Sequence, residues 1–248
     1  MRDNHIHVGQ FKEIYYDPIE ITDIVMSTGM ESMAFSSTSS CIDNISYPAI
    51  EKEILSLLSL VSYSDETIRP FLWYIPDYIN QNISIESMFA GIPYKGIKVH
   101  PFAHNWDFSD TRHLEILHKL FDYAARDNLP VLIHTGYSGV DRADRFVRFM
   151  VEYRDVKIIL AHCCPLETTI ELSRKHNNVY CDISFVPEKD IRRIASDGLK
   201  EKIVFGSDFP ITHFFKTTCP STGDNPSISL REQYAEDIAS WEVLENEL

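Results

Sequence analysis

The sequence has no excess of basic side chains, no cysteine framework, no internal repeat and no long apolar run, and each absence removes a class of function. Its 23 lysines and arginines face 37 aspartates and glutamates, a formal charge of −14. Without a lysine and arginine cluster the chain is not a generic phosphate-backbone binder, because non-specific nucleic-acid affinity comes from cations that neutralise phosphates. Five cysteines, an odd number that includes the neighbours Cys163 and Cys164, do not make a secreted disulfide scaffold, since adjacent residues rarely reach disulfide geometry. A reducing, cytoplasmic compartment is expected, and the sequons at Asn44 and Asn82 carry no meaning there. No apolar run approaches the ~18 residues needed to cross a bilayer, and the stretch from Met1 to His5 has no apolar signal core.

What is present is 248 residues of globular composition, 44% apolar and 24% charged, enough to bury a large core without covalent help. The acidity is uneven. From Asp224 onward seven acidic side chains stand against Arg231 alone, nearly half of the net charge, and this segment reads as a solvated helix face.

Short β-rich apolar runs alternate with amphipathic stretches along the whole chain. Strands are expected near His5–Val8, Glu31–Ser36, Phe71–Ile75, Gly96–His100, Pro130–His134, Lys157–His162, Val179–Ser184 and Lys202–Asp208. Between them, Ile50, Ile54, Leu57, Leu58 and Val61 recur at helical spacing, as do Leu114, Leu117, Phe121 and Ala124. Pro165 and Pro187 suit first helical turns, Asp110 an N-cap and Gly198 a C-terminal cap, and Ile228–Leu244 supplies an eighth helix. Strand starts recur about every 28 residues, close to the ~31 of a typical eightfold barrel, and regular βα alternation demands a parallel sheet. The expected fold is α/β, a single (β/α)8 TIM barrel over residues 1–248.

Metal-binding side chains fall at the ends of these strands. His5 and His7 flank Ile6, so period-2 alternation turns both imidazoles to one face. His134 closes Val-Leu-Ile-His, His162 closes Ile-Ile-Leu-Ala-His, and Asp208 closes Val-Phe-Gly-Ser-Asp. In a parallel barrel all strand C-termini share one rim, where catalytic residues gather, so the five converge despite their sequence separation. Taken singly, each histidine is an ordinary hydrogen-bonded residue; jointly, imidazoles with one carboxylate suit a divalent ion, zinc first, with manganese or iron as alternatives. On the fourth strand Lys98 and His100 share a face. A lysine inside a barrel must be paired, for instance with Asp208, or deprotonated. His113, His118 and His176 read as surface residues of helices, whereas His104 and His213 lie in rim loops after strands four and eight.

The ordered set His5-Ile-His7, Lys98-Val-His100-Pro, His134, His162 and Gly206-Ser-Asp208-Phe-Pro resembles the amidohydrolase superfamily of metal-dependent barrels. It is most similar to the branch that holds amide and lactone hydrolases together with decarboxylases such as aminocarboxymuconate semialdehyde decarboxylase. The resemblance implies a metal held by His5, His7, His134 and Asp208, with His162 beside it as an acid or polariser, or on a second ion. Lys98 stands where binuclear relatives carry a carboxylated, bridging lysine, and no glutamate replaces it. Cys163 and Cys164 follow His162 where relatives often have small residues, and packing is favoured over ligation.

The implied reaction is hydrolysis of an amide, lactone or similar carbonyl bond of a small molecule, by metal-activated hydroxide with Asp208 as proton shuttle. The alternatives are non-oxidative decarboxylation of a small carboxylic acid, and a metabolite-binding barrel without turnover. Substrate contacts are expected from His100, His104, Trp106, Tyr137, Ser138, Arg142 and His213, with Arg142 suited to a carboxylate. Expected partners are a small-molecule substrate and a second copy in a homodimer, the commonest oligomer, with no nucleic acid and no membrane.

Overall fold

The computed structural model describes residues 1–41, 45–60, 66–81, 83–221, 225 and 227–248. Asn44, Val61, Asn82 and Asp224 lie outside these described residues. All eight expected strands are present: β1 (Arg2–Phe11), β3 (Ser32–Ser37), β4 (Ile68–Trp73), β5 (Gly96–Val99), β6 (Val131–His134), β7 (Ile158–Ala161), β8 (Val179–Asp182) and β9 (Ile203–Val204). A ninth, β2 (Ile14–Tyr16), folds back antiparallel onto β1 across a turn at Lys12, whose φ is +52°. The strand order is β2-β1-β3-β4-β5-β6-β7-β8-β9, and every pair except β1 with β2 is parallel.

The sheet curls until its last segment meets its first strand. Beyond the two-residue β9, Phe205 accepts from Asn4 N at 3.0 Å, Asp208 N donates to His5 O at 2.8 Å, and His7 N donates to Phe209 O at 2.8 Å. Ile6 and Phe209 form a parallel bridge. The expected strand Lys202–Asp208 is thus regular only at its start, because Asp208 takes a left-handed conformation (φ +53°) that leaves the extended ladder.

Helices cover the outside: α1 (Pro18–Ser27), α2 (Tyr47–Leu60), α3 (Ile85–Gly91), α4 (Thr111–Asp127), α5 (Val147–Glu152), α6 (Leu166–Lys175), α7 (Glu188–Ile194), α8 (Ile211–Thr218) and α9 (Leu230–Glu247). Asp110 caps α4 through Arg112 N, and Asn128 closes it with φ +53°; such an N-cap contributes about 1 kcal/mol. Pro165 and Pro187 occupy the N-cap positions of α6 and α7, and Gly198 follows α7 with φ +79°. The acidic C-terminal segment is the helix α9, opened by a Ser229–Glu232 capping box. It is not wholly solvated: Tyr234, Ile238, Trp241 and Leu244 are buried, and Asp237 faces Lys216 at 3.2 Å. Among the described residues no helix is long and apolar enough to cross a membrane.

Period 2 sorts the strand residues. Ile97, Val99, Val131, Ile133, Ile158 and Leu160 face the helices, while Ala34, Phe71, Leu132, Ile159, Ala161 and Val204 pack against one another inside the curl. Gly96 leaves space for the Phe71 ring, which a side chain there would strike. On β1 the alternation breaks: its register with β3 shifts between Asp3 and Ile6. This bulge lets Asp3 turn outward to Tyr234 of α9 (3.0 Å) while Asn4, His5 and His7 face inward.

Candidate metal centre

At the C-terminal end of the curl His5, His7 and Asp208 converge with all three side chains buried. His5 Nε2 lies 3.2 Å from His7 Nε2 and 3.3 Å from Asp208 Oδ1, and His7 Nε2 lies 2.8 Å from the same oxygen. The outer nitrogens fix the tautomers. His5 Nδ1 donates to Asp182 Oδ2 at 3.1 Å, and His7 Nδ1 donates to Ser36 O at 3.3 Å, which turns both Nε2 atoms inward as acceptors, that of His5 receiving the Lys98 ammonium at 2.9 Å. Asp208 Oδ1, buried, accordingly has no hydrogen-bond donor.

Three acceptors with no proton between them, and with Lys98 donating only to His5 from outside the triad, repel one another in a low-dielectric interior. A divalent ion resolves this, and the geometry fits. Ligands about 2.0–2.1 Å from zinc in tetrahedral to octahedral arrangement stand roughly 3.0–3.4 Å apart, close to the spacings here. Imidazole and carboxylate donors suit zinc, manganese or iron, and the outer contacts to Asp182 and Ser36 orient the ligands as such sites require.

Lys98 lies fully inside the curl, its ammonium 2.9 Å from His5 Nε2 and 5.8 Å from the centre of the Trp73 ring. Among the described residues no carboxylate is within ion-pair distance of it, so the expected pairing with Asp208 is not made. Burial pushes its pKa down to about 8, against the pull of Asp208 and Asp182. Burial, then Lys98, holds the His5 imidazole well below its ordinary value, which keeps it neutral.

His134 and His162 form a second pair beside this triad. His162 Nε2 and His134 Nδ1 are 3.1 Å apart, and the His162 ring centre is 5.5 Å from that of His5. His162 Nδ1 donates to Ser184 O at 3.2 Å. Burial, with His162 and Lys98 adjacent, lowers His134 to about 2. His100 stacks on His134 with ring centres 3.7 Å apart and on Trp73 at 5.5 Å, and burial beside His134 holds its pKa well below the ordinary value. Both His162 (φ +67°) and Asp208 (φ +53°) have left-handed backbones, a strain that concentrates at functional sites. Cys163 packs away from the metal cluster, donating to the Asp182 carbonyl at 3.2 Å, and all five cysteines are free.

The expected substrate residues are scattered. Tyr137 is largely exposed, Ser138 donates to Asp141 at 2.6 Å, Arg142 is paired with Asp144 at 3.0 Å, and Trp106 is buried. His104 lies against Trp73, its ring centre 6.0 Å away. His213 is corrected: it sits on α8 rather than in a loop, and its Nε2 donates to Ile228 O at 2.9 Å, holding the chain before α9.

Three residues carry the site without having been read from the sequence. Asp182, fully buried at the end of β8, orients His5 and accepts from Ser184 N at 2.8 Å. Ser184 links His5 (3.3 Å) to His162 (3.0 Å). Asp3 accepts from His5 N at 3.0 Å and from Ser207 N at 3.2 Å; burial, only partly offset by these bonds, raises its pKa to about 7. Gly206 lets the last segment cross directly over Asp182 and His5, since a side chain there would overlap both.

Comparison with curated protein sequences returns no significant match. Among solved structures, a probable 2-pyrone-4,6-dicarboxylic acid hydrolase from Acinetobacter baumannii superposes with a TM-score of 0.60 at 12% identity, over 99% of this chain and 94% of that one. A 5-carboxyvanillate decarboxylase from Sphingomonas paucimobilis gives 0.56 at 12% identity, over 97% of each chain. A 4-oxalomesaconate hydratase from Rhodopseudomonas palustris gives 0.54 at 12% identity, over 98% of this chain and 95% of that one. At such identities the likeness concerns fold, and the three names span three reactions. The sequence model described as amidohydrolase matches residues 58–222. This chain therefore belongs to the amidohydrolase superfamily of enzymes, in its amidohydrolase-related branch.

Proposed function

We propose that this protein is a divalent-metal-dependent hydrolase of a small carbonyl compound, an amide or lactone, built as one closed (β/α)8 barrel over residues 1–248. The observation that carries the reading is the triad of converging acceptors, His5 Nε2, His7 Nε2 and Asp208 Oδ1, within 3.3 Å of one another. Closure is supported by the backbone bonds from β1 to Phe205, Asp208 and Phe209.

His5, His7 and Asp208 would hold the ion, with His134 and His162 beside it for one ion or a second. When bound, such an ion supplies Lewis acidity toward a carbonyl oxygen and makes a water more acidic. The remaining work falls to the side chains. Asp182 and Ser36 hold His5 and His7 in the tautomer that turns Nε2 inward. Asp208 receives the proton of the attacking water on its carboxylate and returns it to the leaving group. His162, whose Nδ1 proton is held by Ser184 O, presents Nε2 as an acceptor, which favours ligation over the acid role that the resemblance also allows. Lys98, at a pKa of about 8, keeps a neutral fraction at working pH and is the group for a carboxylated bridge. A crystal structure at neutral pH with bicarbonate, showing an unmodified lysine and one ion, removes that bridge.

The test is elemental analysis of protein purified without chelator, followed by a screen of lactones, N-acyl amino acids and aromatic or enoic carboxylates with Zn²⁺ and Mn²⁺. About one equivalent of transition metal per chain or more is expected, with water incorporated into the product. Less than ~0.3 equivalents, unrestored by reconstitution, overturns the metal site. Release of carbon dioxide without hydrolysis transfers the same site to decarboxylation.

A further inference from the structure

The opposite, N-terminal end of the curled sheet opens into a cavity of about 590 Å³ with cationic walls. Arg69 from the start of β4, Lys157 before β7 and Arg2 on β1 line it, with Asn4, Trp241 and Glu245. Lys202 stands next to it: Lys157 Nζ and Lys202 Nζ approach the same Tyr180 ring at 4.3 and 4.7 Å.

These cations are poorly compensated. Among the described residues none of Arg69, Lys157 and Lys202 has a carboxylate within ion-pair distance. Arg69 donates from Nη2 to Asn4 Oδ1 at 3.1 Å, but its Nε is buried with no acceptor. Lys202 reaches only the Asn177 carbonyl. Glu245 is the one carboxylate among the described lining residues. Burial lowers the Lys157 pKa, and Arg69 and Lys202 lower it further, which is what like charges held together produce. In a chain of net charge −14, free cations gathered in a cavity, one with an unsatisfied buried donor, are costly unless something anionic comes to them.

We propose that this N-terminal mouth is a binding site for a small oligoanion carrying phosphate or several carboxylate groups, separate from the metal centre. Arg69 supplies the fixed, partly buried fork through its terminal guanidinium nitrogens, and Lys157 and Lys202 flank the ligand on the Tyr180 side. The layer of Phe71, Leu132, Ile159 and Val204 lies between this mouth and the metal-binding end, so the ligand does not enter the reacting site.

Isothermal titration of the metal-loaded full chain with inorganic phosphate and, separately, tricarballylate, each against sodium chloride at matched ionic strength, tests the site. Saturable binding of at least one of the two is expected, and which one binds identifies the ligand's source chemistry. Arg69→Gln is expected to weaken it roughly tenfold, the loss of one charge-assisted bond. Should that variant fold poorly, the Lys157→Gln/Lys202→Gln double variant, at partly exposed positions, carries the same expectation. Absence of any saturable heat beyond the chloride control overturns the proposal. Unchanged affinity in both variants also overturns it, because the anion then sits at the metal centre or elsewhere.

Discussion

The two ends of the curled sheet present opposite shortages. At the C-terminal end His5, His7 and Asp208 bring lone pairs together with no proton between them; at the N-terminal end Arg69, Lys157 and Lys202 bring positive charge with no carboxylate in ion-pair distance among the described residues. The same strands feed both. β4 carries Arg69 at one end and Trp73 at the other, about 13 Å along an extended strand, with Phe71 between. The difference lies in what surrounds each end. The lone pairs are buried and oriented by outer contacts to Asp182 and Ser36, which is how a protein prepares for a compact ion. The cations are partly solvated and held on long side chains, which suits a larger, softer partner. Burial and preorganisation, more than charge count, separate the candidate metal site from the proposed anion site in this molecule.

Substituting the shared oxygen breaks the comparison hardest. Asp208→Asn puts an amide N–H against the His5 and His7 Nε2 acceptors, so a proton fills the place of the ion. Turnover on an identified substrate is expected to fall more than about a thousandfold, with metal content near zero and the far-ultraviolet circular dichroism unchanged. The metal-free variant is expected to melt no lower than the metal-free wild type, because the acceptor clash is gone. A variant that keeps its metal and activity would refute the assignment of Asp208.

Next in size is removal of the ion itself. An ion present at a hundred times its dissociation constant stabilises the fold by about 2.7 kcal/mol, which for a chain of this length is roughly 5–10 °C in Tm. Chelation followed by thermal denaturation should show that loss, and Zn²⁺ or Mn²⁺ should restore it. Phosphate, acting at the other end, should raise Tm by the same amount with or without the metal. If the effects of zinc and phosphate fail to add, the two ends are not distinct.

A smaller effect probes the support of the rim. Asp182→Asn offers an amide where His5 Nδ1 needs an acceptor, so the ring loses the partner that turns Nε2 inward. Metal affinity is expected to fall roughly 10–100-fold, the usual consequence of losing such a partner, as read by competition with a fluorescent chelator. Ser36 offers His7 Nδ1 both its carbonyl (3.3 Å) and its hydroxyl (3.2 Å), so Ser36→Ala, which keeps the carbonyl, should cost less.

How much of this was legible in the sequence follows from the same physics. The eight parallel strands and the five strand-end side chains of the candidate site, His5, His7, His134, His162 and Asp208, announce themselves through period 2 and through residue types rare in cores. Asp182 does not, although it too ends a strand, because a lone carboxylate after Val-Tyr-Cys has no partner in sequence that marks it. Asp3 was hidden by the bulge at Asp3–Ile6: strict alternation places it with His5 and His7, whereas it turns outward to Tyr234. β2 is too short for its period to register, and α8 follows Asp208 so closely that Ile211–Thr218 reads as loop, which misplaced His213. The cationic mouth was invisible for a different reason. Arg69, Lys157 and Lys202 are scattered singly through an acidic chain and meet only when the sheet curls.

The mildest test concerns those cations. Folding buries Lys157 and brings it close to Arg69 and Lys202, and burial first, then these two cations, lowers its folded pKa below the unfolded one. Between those two values the unfolded chain binds more protons than the folded one, so stability rises with pH across the window; below it the repulsion is present in full. Lys157→Met removes the charge and keeps the stem over Tyr180. At pH 7 and low salt the variant is expected to melt higher than wild type by about a degree, the scale of a partly exposed charge interaction. The advantage should shrink as pH climbs toward the ordinary lysine range, and it should shrink at high salt. With phosphate present the order should reverse, because the wild-type ammonium then has its anion. A variant that melts lower under every one of these conditions would mean that Lys157 is already satisfied in the folded chain, and the mouth would no longer differ from any other solvated surface.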